Sequence, residues 1–317
     1  MNHPTLFPAA LVLGFVMSML PANAQPATSP FTPAGENQTT TIPKAVPVQP
    51  KVKIDGVILE AKSAVLLDAV TGEELFAKSP DTPRAIASTQ KLVLALMVSE
   101  LGGLDTPATV TSSDTKVDGS KMGLKAGESY PRRLLLQALM VKSANDIANV
   151  LAREVAAGND FGYPDLANAR VKALGCASTR IRNAHGLTVQ GQYSTARDLG
   201  KIARAAYAQP DLLPMLSVVD MTFPMADGSE IKLTNTNKLL TRMPACNGMK
   251  TGFTDAAGHC LVASASAGGT ALIAVILHST EEKVIDDAEH LLKWGFAHRG
   301  IDAAPPKAIP MGQPAAP

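Results

Sequence analysis

The longest apolar stretch in the middle of the chain is Leu92-Val93-Leu94-Ala95-Leu96-Met97-Val98, with no polar stripe. Gly102-Gly103 closes it, and a helix apolar on every side is a buried core helix. Ahead of it, "AKSAVLLDAVTGEELFAKSPD" (61–81) reads as a β-hairpin: a strand ending at Asp68, a turn, and a returning "LFAK". The region 110–130 is rich in turn residues, with short strand candidates. "PRRLLLQALMV" (131–141) predicts an amphipathic helix with proline in its first turn. "KSAND" breaks it, and helices follow at 147–157, 165–175 and 194–208, the last capped by Ser194 or Thr195. From Met221 the pattern turns to strands: "MTFPM", "EIKLTN", "GMKTGF" and "HCLVASASAGGTALIAVILHS". A last helix is predicted from about Glu281 to Phe296. Strands from both ends of the chain bracket a helical middle. The fold class is therefore α/β (α+β), an antiparallel sheet packed against helices with a helical subdomain, over 53–300.

The ends read differently. Leu6 to Leu20 is apolar, and "PANA" closes at Ala24 with the small-x-small pattern of a cleavage site. Residues 1–24 are expected to be a signal peptide, which places the chain outside the cytoplasm, in a periplasm or beyond; the alternative is an uncleaved anchor. Residues 25–52 are rich in Pro and Thr and read as an extended tether. Residues 301–317 form a Pro/Ala-rich tail with no amphipathic stretch, so no C-terminal membrane anchor is expected.

Charge narrows the partners. With 29 basic and 28 acidic residues the net charge is +1, and aromatics are 4%, so nothing favours nucleic acid. Cys176, Cys246 and Cys260 are odd in number, so at least one thiol is free. Cys246 and Cys260 flank one strand-turn-strand stretch and could pair, or all three could be buried thiols. No metal-ligand spacing appears among the cysteines and the six histidines, and no cofactor is expected.

Three short stretches carry chemistry. Ser88 and Lys91 lie one turn apart at the head of the apolar helix. A serine needs a base to become a nucleophile, and a lysine serves only where burial or positive charge lowers its pKa. An apolar helix seating provides that. "KSAND" sets Ser143 and Asn145 between two helices, a hydroxyl that can pass a proton and an amide that can bind a peptide group. "GMKTGF" sets Lys250, Thr251 and Gly252 on a strand: a charge, a hydroxyl for a carboxylate, and a glycine that lets a ligand approach the backbone. Each alone has a plain structural reading, as a helix cap, a snorkelling lysine or a solvent-facing edge strand. Together, in this order and about 50 and about 100 residues apart, they form the triplet of penicillin-binding proteins and class A β-lactamases.

The chain resembles the low-molecular-mass penicillin-binding D-alanyl-D-alanine carboxypeptidases beyond that triplet. "AVLLDAVTGEELFAKSPDTPRAIASTQKLV" resembles their opening hairpin and nucleophile helix, and "GLKAGESY…LLLQALMVKSANDIANVLA" their second-motif region. "RNAHGLTVQGQYSTARDLGKIA", "NGMKTGFTDAAGHCLVASA" and "LLKWGF" are similar to three further segments. The resemblance implies a penicillin-binding/β-lactamase-like transpeptidase fold and a serine D,D-peptidase acting on peptidoglycan stem peptides, with β-lactams as covalent inhibitors. It implies Ser88 as nucleophile, Lys91 as base, Ser143 as proton relay and Asn145 as a binder of the substrate backbone. It further implies Lys250 as electrostatic support, Thr251 as holder of the terminal carboxylate, and the backbone N–H groups of Ser88 and Phe253 as oxyanion hole beside Gly252.

The chain departs from the pattern in two residues. Ser279 or Thr280 stands where these enzymes often carry an arginine, and Phe253 where they often carry His. Cleavage of cross-links as a D,D-endopeptidase is the alternative activity. A class A β-lactamase would need a glutamate-bearing loop that "GNDFGYPDLANARVKALG" lacks. A non-catalytic wall-binding module would have no use for the intact triplet.

Overall fold

The computed structural model describes residues 53–54 and 57–303. The predicted signal peptide (1–24), the tether up to residue 52 and the tail beyond 303 lie outside the described residues.

A five-stranded antiparallel sheet runs in the order β4 (Glu74–Lys78), β3 (Ser63–Asp68), β11 (Thr270–Ser279), β10 (Gly258–Ala267), β9 (Cys246–Thr254). β3 and β4 are the predicted hairpin, and β9 lies at an edge. The central strand and one neighbour come from opposite ends of the folded chain: β11 pairs with β3 through Val275↔Val65 and the residues around them. Short pairs lie outside this sheet: β1 (Lys53–Ile54) with β2 (Val57–Ile58), β5 (Pro107–Thr109) with β6 (Ser129–Pro131), and β7 (Asp220–Pro224) with β8 (Glu230–Thr234).

Both faces of the sheet are covered, so β11 is buried along its length instead of alternating with polar residues. Ile273, Val275 and Leu277 join Val65 in the larger apolar core, under the helical layer. Leu272, Ala274 and Ile276 face the other way, against Leu291, Leu292 and Phe296 of α8 (Val284–His298). The helical layer holds α1 (Lys91–Leu101), α2 (Arg132–Lys142), α3 (Asn145–Val155), α4 (Tyr163–Ala173) and α5 (Ala196–Tyr207). The short helices α6 (Leu213–Leu216) and α7 (Leu239–Arg242) lead into β7 and β9.

α1 is buried from Lys91 to Val98, as its unbroken apolar sequence demands. Leu94 is wholly inaccessible, so Leu94→Ala is expected to cost about 2–5 kcal/mol in a denaturant titration, from lost transfer energy and the cavity left behind.

Element boundaries moved where strand pairing or contacts with a neighbouring loop overrode pattern. Pro131 pairs with Pro107 in β6 and precedes α2 instead of opening it. α3 begins at Asn145, two residues earlier than apolar spacing suggests, because Ser143 and Ala144 alone make the break. Thr195 is the cap of α5, its hydroxyl accepting from Asp198 N at 3.1 Å. All three thiols are free and buried. Pairing of Cys246 with Cys260 is excluded by register: Cys260 lies opposite Gly252, and Cys246 opposite Ala265. Six residues of extended strand separate Cys246 from Gly252, roughly 20 Å, far beyond the reach of a disulfide.

Candidate active site

A cleft of about 400 Å³ opens where the head of α1, the α2–α3 junction and β9 converge. Ser88, Ser143, Asn145, Thr251, Gly252 and Phe253 all line it. The structure thus gathers residues from three separated stretches of sequence.

Ser88 sits in a 3-10 turn, Ala87–Gln90, that leads straight into α1 with Lys91 as its first residue. Three residues span one turn of a 3-10 helix, so the two side chains stack on one side. Lys91 Nζ stands 2.8 Å from Ser88 Oγ, 2.8 Å from Asn145 Oδ1 and 2.6 Å from the carbonyl oxygen of His185. The side chain is fully buried, and no carboxylate is among these partners. Burial, and then the charge of Lys250, hold its pKa well below the ordinary lysine value.

The backbone around Ser88 is bent sharply. Ala87 has φ 47° and Ser143 φ 64°, both in the left-handed region that non-glycine residues avoid, at about 1–2 kcal/mol each. Each precedes or belongs to a chemistry-bearing turn. Ser143 ends α2, its N–H donating to Leu139 O at 3.1 Å, and Asn145 opens α3.

The start of α3 is pinned to the 118–124 loop. Asn145 Nδ2 donates to Asp118 O at 2.6 Å, and Asn145 N donates to Ser120 O at 2.6 Å. Asp146 Oδ2 accepts from Met122 N, Gly123 N and Leu124 N at 3.0, 2.9 and 3.3 Å. Because Nδ2 faces a carbonyl, the amide oxygen of Asn145 must face Lys91. Its oxygen thus takes one N–H of Lys91, which leaves a second lone pair and one Nδ2 hydrogen for a ligand.

On the opposite wall, β9 brings Lys250 to a fully buried position instead of a solvent-facing one. Its Nζ donates to Thr251 O at 3.0 Å, and burial pulls its pKa down to about 7. Thr251 Oγ1 lies 2.6 Å from Thr236 Oγ1. Gly252 packs against the Ser88 turn: a Cβ there would fall 2.8 Å from Ser88 N and 2.9 Å from Thr89 N. Phe253 is 55% exposed, and its ring lies 4.4 Å from that of His259. Ser279 is not available to the cleft, since its hydroxyl donates to Asp287 Oδ2 at 2.7 Å.

A profile of the D-alanyl-D-alanine carboxypeptidase family matches residues 49–281. The chain belongs to this family. It is 32% identical over 243 residues to the D-alanyl-D-alanine carboxypeptidase DacB2 of Mycobacterium tuberculosis, covering 75% of this chain and 82% of that one. It is 31% identical to DacA of Escherichia coli, covering 78% of this chain but 63% of that longer relative. Among solved structures, a D-alanyl-D-alanine carboxypeptidase from Mycobacterium tuberculosis superposes with a TM-score of 0.71 at 30% identity, over 82% of this chain and 96% of that one. The Streptomyces K15 DD-transpeptidase does so with a TM-score of 0.71 at 29% identity, over 75% and 98%. Membership makes this chain a serine peptidase with a penicillin-binding fold.

Two contributors to the site escaped the sequence reading. One is the carbonyl of His185, which accepts from Lys91 Nζ at 2.6 Å and lies 3.2 Å from Ser88 Oγ. A backbone oxygen has no residue-type signature, although "RNAHGLT" marks the segment. The other is Thr236, whose hydroxyl meets Thr251; the run "TNTN" offered no reason to prefer it. Among the described residues there is no cluster of His, Cys, Asp or Glu suited to a metal ion.

Proposed function

We propose that Ser88 is the nucleophile and Lys91 its general base in hydrolysis of the D-alanyl-D-alanine bond of peptidoglycan stem peptides. The observation that carries this reading is a buried lysine, with no carboxylate beside it, whose Nζ is 2.8 Å from a serine hydroxyl. A neutral amine has two N–H groups and one lone pair. Asn145 Oδ1 and the His185 carbonyl are obligate acceptors and take the two N–H groups. The lone pair is left for the Ser88 hydroxyl.

In the first half-reaction Ser88 Oγ bonds to the carbonyl carbon while its proton passes to Lys91 Nζ. The carbonyl oxygen, now carrying the negative charge, meets the N–H groups of Ser88 and Phe253 on either side of Gly252. Such preorganised donors are worth about 3–4 kcal/mol each. The C–N bond then breaks, and the departing D-alanine amine takes a proton delivered through Ser143. Water attacks the acyl-serine in the second half-reaction and restores Ser88. Lys250 adds a nearby charge on the Ser143 side, Thr251 holds the terminal carboxylate, and Asn145 orients both Lys91 and the stem peptide. Penicillin enters the same first half-reaction and stops there.

The N-terminal segment 1–24 supports export to the compartment where these peptides are found. Among the described residues, no helix is long and apolar enough to cross a membrane.

The test pairs two measurements. Fluorescent penicillin should label the protein on the peptide containing Ser88, and a pentapeptide substrate should release D-alanine. Labelling elsewhere, or D-alanine release without labelling, would sink the assignment. Gly252 provides a steric check. A methyl group at 252 would press on backbone atoms that cannot swing away. Gly252→Ala should therefore cost about 1–3 kcal/mol in stability and slow penicillin acylation by about 100-fold, as the Ser88 amide is displaced. Stopped-flow acylation kinetics on the folded variant would check it.

A further inference from the structure

The terminal carboxylate of the substrate falls to Thr251, yet a hydroxyl is a neutral donor. It serves an amide carbonyl as readily as a carboxylate, so alone it does not select a free C-terminus. Selection by charge needs a cation, and the two buried lysines do not supply one. Lys91 works as a neutral amine. Lys250 is 1% exposed, its Nζ already donates to Thr251 O, and its pKa of about 7 leaves it partly neutral at working pH. No arginine lines the cleft.

The loop after β8 offers the missing charge. From Leu233 to Leu239 buried and exposed residues alternate: Asn235 and Asn237 are turned inward, while Thr236 and Lys238 are exposed. Hydrogen bonds fix that alternation. Asn235 Nδ2 donates to Val218 O at 2.7 Å, and Asn237 Nδ2 donates to Gly248 O at 2.9 Å. Gly248 belongs to β9, the strand that carries Thr251, so the loop is held against that strand. Thr236 Oγ1 consequently lies 2.6 Å from Thr251 Oγ1.

Thr236 and Lys238 both line the cleft. Two residues apart on an alternating stretch, they share one side at a spacing of roughly 6–7 Å, which the four-carbon stem of a lysine can bridge. Among the described residues Lys238 has no ion pair and no side-chain hydrogen bond, and Glu281, the one acid in the lining, does not pair with it. Lys142 also lines the cleft, but it ends α2, where its charge meets the unpaired carbonyls of that helix end.

We propose that Lys238 is the specificity determinant for a free C-terminus, its ammonium pairing with the substrate carboxylate that the Thr251 and Thr236 hydroxyls hold. The identity of that substrate rests on the function proposed above. In the free protein one of the two hydroxyls donates to the other. A carboxylate replaces this bond, each of its oxygens accepting from one hydroxyl, and its remaining lone pairs meet the Lys238 ammonium.

The test compares two peptides that differ only at the end, one closing in D-alanyl-D-alanine and one in D-alanyl-D-alaninamide. Wild type should prefer the acid. Lys238→Met should raise KM for the acid about five- to tenfold with kcat within about twofold, and leave the amide peptide unchanged. Lys238→Arg should restore most of the preference, and Lys142→Met should alter it less than about twofold. Added salt should erode the wild-type preference, because the pair is formed near the surface. Lys238 is exposed, so the variants should fold, and circular dichroism melts report this. The same two peptides are titrated calorimetrically onto Ser88→Ala with and without Lys238→Met, a measurement that needs no turnover. Equal cost to acid and amide, a preference that survives Lys238→Met, a preference that follows Lys142, or no preference in the wild type would overturn the proposal. Failure of penicillin to acylate Ser88 would count against the catalytic assignment alone; the titration then decides the role of Lys238, and binding of neither peptide would overturn it.

Discussion

Lys91→Met is expected to fold and to lose acylation of Ser88 by about 10²–10⁴-fold, the range that a positioned base contributes. Methionine keeps the length and the apolar stem but has no lone pair that can take the proton. Two effects on stability oppose each other. Removing a buried amine that has no carboxylate beside it is favourable, while Asn145 Oδ1 and the His185 carbonyl lose their donor. The net change should stay within about 2 kcal/mol, so the loss of activity is separable from unfolding. Lys91→Arg should be equally inactive, because a guanidinium keeps its proton at any working pH, and it should be less stable because that charge has no buried partner.

The pH profile follows from the same environment. Lys91 is held well below its ordinary pKa by burial and by Lys250, and the base form is the neutral one. The acylation rate of the wild type should therefore rise with pH as Lys91 loses its proton, and Lys91→Met should lack that rising limb. Lys250 adds a linked effect on stability. Its folded pKa of about 7 lies below the unfolded 10.5, so between these values the unfolded chain binds more protons. Its contribution to stability should rise with pH across that window, and fall as pH drops toward 7. Chemical denaturation at several pH values, with Lys250→Met as reference, measures it.

Ser88→Ala is expected to abolish penicillin labelling and D-alanine release, a loss on the order of 10⁶-fold when a covalent nucleophile is removed. Its effect on folding should be small, below about 1 kcal/mol, because the hydroxyl is half-buried and approaches the His185 carbonyl only to 3.2 Å. Lys91 retains Asn145 Oδ1 and the same carbonyl as partners in the variant. Mass spectrometry after incubation with excess penicillin should find no adduct. An adduct forming at the wild-type rate would place the nucleophile elsewhere.

Much of the fold was legible because its elements carry strong local patterns. α1 is apolar on every side, and a helix of that kind has one place to go. The β3–β4 hairpin is written in its turn, and β10–β11 in two apolar-rich runs on either side of Gly268-Gly269. Boundaries were less legible at Pro131 and Asn145, where strand pairing and contacts with the 118–124 loop act over two or three residues and periodicity cannot resolve them. The two cysteines on β9 and β10 looked pairable because sequence proximity does not encode register, and register sets them far apart.

What the sequence determined by itself was which residue types stand at which spacing: a serine and a lysine one turn apart, a serine and an asparagine at a helix break, a lysine, threonine and glycine on a strand. These are local properties, and a chain of this composition displays them before it folds. What the tertiary structure alone decided was the state of Lys91. Burial without a carboxylate, the approach of Lys250 from a strand far along the chain, and the aim of the His185 carbonyl and the Asn145 amide each depend on segments separated by 54 residues or more. A pKa is set by solvation and by neighbouring charge, and both exist only once those segments have packed around the amine.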